Sequence, residues 1–203
     1  MAKRARPADA TSALADRIAR RDATVGVIGL GYVGLPLVRV FVARGFRVLG
    51  FDTDAAKVAA LKAGRSYIRH IPAADVAAMR ATGRFDATAD MARLGEPDAI
   101  LICVPTPLTR HREPDMTYVV ATAEAIAARL RPGQLVVLES STYPGTTEEV
   151  VKPILERGGL VSGRDFFLGY SPEREDPGNV DHSTSTIPKV VGADGAAALA
   201  LTR

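Results

Sequence analysis

The chain has few of the residues that build disulfides, metal centres and aromatic clusters. Its 203 residues include one cysteine, three histidines and no tryptophan, and aromatic residues make up only 5%. A single cysteine excludes a disulfide framework within the chain. The histidines, His70, His111 and His182, lack the spacing of metal ligands, so we expect no metal site. Since 47% of the residues are hydrophobic, alanine, valine, leucine and isoleucine must supply most of a sizeable core.

Long apolar runs are also missing. No stretch approaches the roughly 18 residues that a membrane span needs, and the N-terminus is charged without the apolar segment of a secretory signal. Much of the net charge of +3 comes from residues 1–22, which predict a basic arm with a short helix over residues 11–21. No basic–aromatic pattern accompanies these charges. The sequence therefore predicts a soluble cytoplasmic protein with neither a membrane nor a nucleic-acid partner.

A glycine-rich turn between two apolar runs is the most informative feature of the chain. The first run leads into Gly29-x-Gly31-x-x-Gly34, and a predicted helix and a second run follow, ending on Asp52. Strand, glycine turn, helix, strand and acid in this order predict a dinucleotide-binding βαβ unit. The helix N-terminus would attract the phosphates. Because a carboxylate at position 52 would bind the adenosine ribose and repel a 2′-phosphate, the pattern favours NAD over NADP. The alternative is a structural turn without a ligand.

Predicted strands alternate with predicted helices along the rest of the chain. The alternation predicts an α/β fold of the Rossmann type, a doubly wound parallel sheet in three α/β/α layers with the strand order 3-2-1-4-5-6. We expect residues 23–192 to form this NAD-binding domain, with a possible extra strand at 189–191. A helix over 147–157 is expected to kink or break at Pro153. Residues 193–203 are expected to begin a helix that links to a second domain outside the chain.

Three loops follow predicted strands at their carboxyl ends, where folds of this kind bind ligands. They cover residues 105–107, 140–147 and 171–178. Because these ends meet at one edge of the sheet, we expect several hydroxyls and the carboxylate of Glu173 beside the nicotinamide. Glu173 is a candidate base or water-positioning group, and its alternative role is an exposed salt bridge. Cys103 lies in the apolar run before the first loop and is expected to be buried core, not a nucleophile.

Five separated segments resemble the UDP-glucose/GDP-mannose dehydrogenase family. They are Gly29-Leu-Gly-Tyr-Val-Gly-Leu-Pro-Leu37, Ser66-Tyr-Ile-Arg-His-Ile-Pro72, Cys103-Val-Pro-Thr-Pro-Leu108, Glu139-Ser-Ser-Thr-Tyr-Pro-Gly-Thr-Thr147 and Ser171-Pro-Glu-Arg-Glu-Asp-Pro-Gly-Asn179. They occur in the family's order, and the resemblance extends over about residues 24–192. Within the family, the chain is most similar to the UDP-N-acetylglucosamine 6-dehydrogenase branch.

The resemblance implies an NAD-dependent oxidoreductase of polysaccharide biosynthesis. The family oxidises the C6 hydroxyl of a nucleotide sugar to a carboxylate with two NAD per turnover, through an aldehyde and a thioester held on a catalytic cysteine. By resemblance, Asp52 and Lys57 bind the adenosine ribose, Thr106 and Thr142 lie by the nicotinamide and the reacting centre, and Glu173 assists thioester hydrolysis. The predicted catalytic residues are Thr142 and Glu173. The predicted cofactor-binding residues are Gly29, Gly31, Tyr32, Val33, Gly34, Asp52, Lys57, Val104, Pro105, Thr106, Ser140 and Thr142.

Parts of the family pattern have no counterpart in this sequence. The family's Gly-x-Cys-x-x-Lys-Asp motif is missing. We therefore expect the catalytic cysteine, the second nucleotide-binding-like domain and the dimerisation helix outside the chain. This chain would then be inactive alone, and its full-length form would be a homodimer. Pro177 stands four residues after Glu173, where other branches often carry a second glutamate, which favours the N-acetyl branch.

Several alternatives stay open at this point. UDP-glucose, UDP-N-acetylmannosamine and GDP-mannose remain possible substrates of the enzyme. From another class, the chain is alternatively a non-catalytic NAD-binding module, or a remnant whose role is interaction through the basic arm.

Overall fold

The chain folds around one mostly parallel β-sheet. The structure, a computed structural model, describes residues 7–172 and 189–203, with side chains from residue 10 onward. Its seven strands lie in the order β3-β2-β1-β4-β5-β6-β7, with β7 antiparallel to β6. The strands are β1 (Thr24–Ile28), β2 (Arg47–Phe51), β3 (Phe85–Thr88), β4 (Ala99–Ile102), β5 (Leu135–Leu138), β6 (Phe167–Tyr170) and β7 (Gly192–Ala193). The predicted strand order and Rossmann-type fold are confirmed.

Helices cover both faces of the sheet, which gives the three predicted layers. The described helices are α1 (Pro7–Arg20), α2 (Gly34–Ala43), α3 (Ala55–Lys62), α4 (Ala73–Ala81), α5 (Thr117–Ala127), α6 (Lys152–Glu156) and α7 (Ala196–Thr202), with a 3-10 helix at Met91–Gly95 and a π-helix at Thr146–Val151. Apolar side chains of α1–α4 and α7 pack on one face, and those of α5, α6, the 3-10 helix and the π-helix pack on the other. Within these described ranges, no helix is both long and apolar enough to cross a membrane.

The parallel register brings the carboxyl ends of the central strands to one edge. Ile28 at the end of β1 is the cross-strand partner of both Phe51 and Ile102, and Ile102 is the partner of Leu138. Four residues follow directly after these strand ends: Gly29, Asp52, Cys103 and Glu139. The topology therefore converts four distant stretches of sequence into one continuous edge, where folds of this kind bind ligands.

The segment predicted as a basic arm contains a helix that packs into the fold. Helix α1 begins at Pro7, earlier than the predicted short helix over 11–21, and its Leu14 is 4% exposed in the core. Arg17 Nη1 lies 2.5 Å from the carboxylate of the buried Asp98. Since apolar residues recur every fourth position along α1 (Ala10, Leu14, Ile18), one face of the helix can pack against the sheet. The proposed division into an arm, a domain and a linking helix stays a prediction.

In the C-terminal half, the structure shifts one predicted strand and confirms the predicted interruption of one helix. The extra strand predicted at 189–191 is observed at Gly192–Ala193, where it pairs with the outer side of β6. The helix predicted over 147–157 is divided beside Pro153, as expected: the π-helix ends at Val151, and α6 begins at Lys152 with Pro153 in its first turn. Proline lacks an N–H and its ring crowds the carbonyl four residues earlier. A wider i→i+5 turn just before Pro153 relieves that crowding.

Candidate functional site

The three glycines of the turn after β1 meet different surroundings. Gly29 has φ +91°, and a Cβ there would lie 2.5 Å from the carbonyl oxygen of Cys103, the residue after β4. A Cβ at Gly34 would collide with the carbonyl oxygen of Gly29. At Gly31 an added Cβ would meet nothing within 4 Å. The packing of the protein thus requires the first and third glycines, whereas the second leaves its space open for a ligand.

Helix α2 starts at this turn with an uncompensated positive end. Its first residue is Gly34, its cap Val33 makes no side-chain hydrogen bond, and its first turn holds no acidic residue. Free N–H groups and the helix dipole at such an end favour an anion. The π-helix that follows β5 differs, because its first turn carries Glu148 and Glu149. A phosphate is therefore favoured at α2 and repelled at the π-helix.

Asp52 lies at the end of β2 and faces the glycine turn. It is 8% exposed. Its Oδ2 accepts a hydrogen bond from Leu30 N–H at 2.9 Å, and its Oδ1 accepts one from Asp54 N–H at 2.9 Å. Lys57 Nζ lies 3.6 Å from Asp52 Oδ2, and Asp54 caps the helix that carries Lys57. Each carboxylate oxygen can accept a further hydrogen bond, so Asp52 both braces the turn and offers acceptors to a ligand.

A cleft of about 580 Å³ lies between the glycine turn, Asp52 and helix α5. A volume in this range suits a small-molecule or cofactor site. Eight of the twelve predicted cofactor-binding residues line it: Gly29, Gly31, Tyr32, Val33, Asp52, Lys57, Val104 and Pro105. The other four, Gly34, Thr106, Ser140 and Thr142, are not part of its lining.

The cleft has a second wall that the sequence analysis missed. It comes from the 3-10 helix and from α5, and it comprises Met91, Leu94, Tyr118, Ala121, Thr122 and Ala125. This wall is mostly apolar, and it lines the same cleft as Asp52. A sequence signal for the 3-10 helix was Asp90, whose carboxylate caps it by accepting from Ala92 N–H at 2.9 Å.

The loops after β4 and β5 are joined by hydroxyl groups. Thr106 Oγ1 donates to the carbonyl of Ser141 at 2.7 Å, and Ser140 Oγ donates to the carbonyl of Val104 at 2.6 Å. In the part of the chain that the structure describes, the buried Oγ1 of Thr142 has no hydrogen-bond partner. These hydrogen bonds hold the two loops together, and the Thr142 hydroxyl is buried beside them without a partner among the described residues.

The loop over residues 66–72 packs on the glycine turn. The Tyr67 hydroxyl donates to the carbonyl of Leu30 at 2.6 Å, and the rings of Tyr32 and His70 lie 5.7 Å apart between centroids. Burial of Tyr67, followed by the nearby charges of Asp52 and Asp54, raises the pKa of its hydroxyl above the ordinary value of 10.0. The hydroxyl therefore stays protonated and keeps its role as a donor at neutral pH.

Two further predictions concern single residues. Cys103, directly after β4, is 7% exposed, which confirms the prediction that it is part of the buried core. Glu173, the predicted base or water-positioning group, lies outside the described residues, so its role stays a prediction.

Comparison with known proteins identifies relatives of the chain. Residues 23–203 match the UDP-glucose/GDP-mannose dehydrogenase family, NAD binding domain. The chain is 40% identical over 171 residues to a UDP-N-acetyl-D-glucosamine 6-dehydrogenase of Pseudomonas aeruginosa. The aligned residues cover 84% of this chain and 40% of the relative. It is 37% identical over 177 residues to a UDP-N-acetyl-D-mannosamine dehydrogenase of Escherichia coli strain K12, covering 84% of this chain and 42% of the relative. The chain thus spans about two fifths of the length of these relatives.

A solved structure supports the same relationship. The crystal structure of an NDP-N-acetyl-D-galactosaminuronic acid dehydrogenase from Methanosarcina mazei Go1 superimposes with a TM-score of 0.83 at 30% identity, covering 93% of this chain and 43% of that chain. The matched family domain binds NAD, as the sequence predicted. An open position at Gly31, an anion-favouring helix start and an acid at the strand end fit that cofactor. The chain belongs to the UDP-glucose/GDP-mannose dehydrogenase family of NAD-dependent enzymes, within its NAD-binding domain.

Proposed function

We propose that the chain is the NAD-binding half of a nucleotide-sugar 6-dehydrogenase whose substrate is UDP-N-acetylglucosamine. The observation that carries the proposal is the position of Asp52, which lines one cleft together with an apolar wall and the glycine turn that leads into an acid-free helix start. Those three features correspond to the ribose, the adenine and the pyrophosphate of NAD. Relatives named UDP-N-acetyl-D-glucosamine 6-dehydrogenase, at 40% and 35% identity, support this sugar.

Each part of the cofactor has candidate partners in the chain. Asp52 and Lys57 would bind the adenosine ribose, and the backbone from Gly31 to Gly34 would bind the pyrophosphate. The residues from Val104 to Thr106, with Ser140 and Thr142, would surround the nicotinamide. When bound, NAD would supply the acceptor for the hydride that leaves C6 of the sugar.

The residues near the reacting carbon have separate proposed roles. Thr142 would hold the C6 oxygen or a water molecule through its hydroxyl, because that oxygen is buried and unpartnered within the described ranges. Glu173 would take a proton from the water that hydrolyses the thioester. The cysteine that carries the thioester would come from a part of the enzyme outside this chain. The complete enzyme would be a cytoplasmic homodimer.

Calorimetric titration with NAD and NADP tests the cofactor half of the proposal. The wild-type chain should bind NAD at least tenfold more tightly than NADP, since the 2′-phosphate of NADP would lie against the carboxylate of Asp52. Asp52→Asn keeps the shape and one acceptor but removes the charge, and it leaves Lys57 free to attract the phosphate. We expect this variant to lose most of the preference for NAD.

Asp75→Asn is the matched control, because its carboxylate is exposed and pairs with Arg39 away from the cleft. It should keep the wild-type preference. A wild-type chain that binds neither cofactor, or binds both equally, would refute the proposed site.

A further inference from the structure

We propose that Tyr67 is a positioning residue for the cofactor, which fixes the peptide between Leu30 and Gly31 so that the glycine turn is preset to receive the pyrophosphate. This inference rests on the proposed function, because it assigns a role toward the NAD that the cleft would bind. Tyr67 does not line the cleft, so it would act through the backbone of the turn.

Leu30 is held at three points. Its N–H donates to Asp52 Oδ2 at 2.9 Å, and its carbonyl accepts from the Tyr67 hydroxyl at 2.6 Å. Its side chain is fully buried and packs over Gly50, where an added Cβ would come within 2.8 Å of Leu30 Cδ2. The residue between the first two glycines is therefore fixed on its N–H, its carbonyl and its side chain.

The hydrogen bond from Tyr67 constrains the peptide that follows Leu30. A peptide unit is planar and trans, so the Gly31 N–H points opposite to the Leu30 carbonyl. Rotating this unit changes ψ of Leu30 and φ of Gly31, and a glycine accepts nearly any φ. A Cβ at Gly31 would meet nothing within 4 Å, so no protein atom fills the space beside this residue. The hydrogen bond from Tyr67 decides which way the Gly31 N–H points.

Tyr67 is itself held firmly enough to serve this role. It lies on a turn in which Ser66 Oγ accepts from Ile68 N–H at 3.1 Å, and Ile68 and Ile71 anchor the loop at 4% and 1% exposure. Lys57 Nζ lies 5.9 Å from the centroid of the Tyr67 ring and 3.6 Å from Asp52. The same cluster thus joins the candidate ribose-binding residues to the peptide that precedes the phosphate-binding helix.

Tyr67→Phe removes only the hydroxyl and keeps the ring beside Lys57. The variant should bind NAD about fivefold more weakly, because a turn released from one ordinary hydrogen bond would hold the competent orientation only a fraction of the time. Its affinity for adenosine, which has no phosphate, should stay unchanged. Affinities for NAD would be measured by calorimetry and those for adenosine by NMR titration. Tyr170→Phe, at the end of β6 and three strands from β1, is the control and should match the wild type for both.

The comparison separates a positioning role from a structural one. A loss of affinity for NAD alone supports the inference. Equal affinity of the variant and the wild type for NAD overturns it, and so does a parallel loss for NAD and adenosine, which would indicate general damage to the site. If thermal denaturation shows that Tyr67→Phe is unfolded, Ser66→Ala serves as the second variant. It loosens the turn that carries Tyr67, so it should also weaken the binding of NAD and leave the binding of adenosine unchanged. A wild-type chain that does not bind NAD refutes the proposed function itself, and the inference with it.

Discussion

Replacing Asp98 by asparagine should destabilise the fold without affecting the candidate cofactor site. The Asp98 carboxylate is 5% exposed and joins three parts of the chain at the amino ends of the strands. Its Oδ1 accepts from Arg17 Nη1 of α1 at 2.5 Å and from Arg131 Nη2 at 2.7 Å. Its Oδ2 accepts from Thr24 N–H of β1 at 2.8 Å. All three partners are donors, and two of them are cationic.

An asparagine cannot satisfy all three donors. It carries one oxygen and one NH₂ group, so either the two arginines or the Thr24 N–H would face a donor instead of an acceptor. Removing one partner of a buried ion pair costs about 3–5 kcal/mol. Here Arg17 and Arg131 are about 40% and 39% exposed and can regain water, which lowers the cost. We expect a loss of about 2–3 kcal/mol in the free energy of unfolding, or roughly 5–10 °C in Tm for a chain of this length.

Urea denaturation at pH 7 measures the effect, with NAD titration as the second measurement. Asp22→Asn is the matched control, because Asp22 also pairs with Arg17 but its side chain is 53% exposed. This control should change stability by no more than about 0.5 kcal/mol. The affinity for NAD should be the same in both variants, since the candidate site lies at the opposite ends of the strands. A loss below about 1 kcal/mol for Asp98→Asn would refute the reasoning that this carboxylate joins the elements.

Two further predictions concern the glycine turn and the C-terminal ion pair. Gly31→Ala should change Tm by no more than about 2 °C, since its Cβ has open space, but it should abolish NAD binding. Gly34→Ala should lower Tm sharply, because its Cβ would collide with the Gly29 carbonyl. Calorimetry measures NAD binding and thermal denaturation measures Tm, and a large loss of Tm in Gly31→Ala but not in Gly34→Ala would contradict the prediction. The hydrogen bond from Lys152 lowers the pKa of Asp194 below its ordinary value of 3.8. The stabilisation from this pair is therefore complete above pH 3.8 and is lost as the pH falls through the lowered pKa. In urea denaturation at pH 7, the wild type should be more stable than Asp194→Asn by up to about 1 kcal/mol. This difference in stability should become smaller at pH 3 and below. A difference that stays constant with pH would contradict the stabilising role of the ion pair.

The fold could be predicted because its sequence signals are local. Each central strand is a short apolar run, and the glycine turn and Asp52 mark the first βαβ unit within 24 consecutive residues, 29–52. The alternation of strands and helices then leaves few possible topologies, because crossovers between parallel strands have one hand. The strand order was predicted as the one typical of the dinucleotide-binding Rossmann fold, without any knowledge of long-range contacts.

The packing of α1 could not be predicted from the local sequence pattern. Its apolar spacing predicted a helix but not its partner, and the basic residues around it favoured an exposed arm. Arg17, one of the charges behind that interpretation, contacts Asp98, which lies 81 residues further along the chain. A charged side chain looks the same in the sequence whether it faces water or a buried carboxylate. Only the topology, which brings the start of β4 beside the end of α1, distinguishes the two.

The contacts that assemble the candidate site are hidden from the sequence for a further reason. Tyr67 donates to Leu30, Thr106 to Ser141 and Ser140 to Val104, across 37, 35 and 36 residues. In each pair the donor is a hydroxyl and the acceptor is a main-chain carbonyl. Because every residue supplies such a carbonyl, the identity of the accepting residue does not reveal that its carbonyl is an acceptor. A sequence can therefore show that a hydroxyl stands near a strand end, as it did for Thr106 and Ser140, but the carbonyl it binds follows only from the sheet register. Tyr67 follows no strand, and its contact with the glycine turn became visible only in the folded chain.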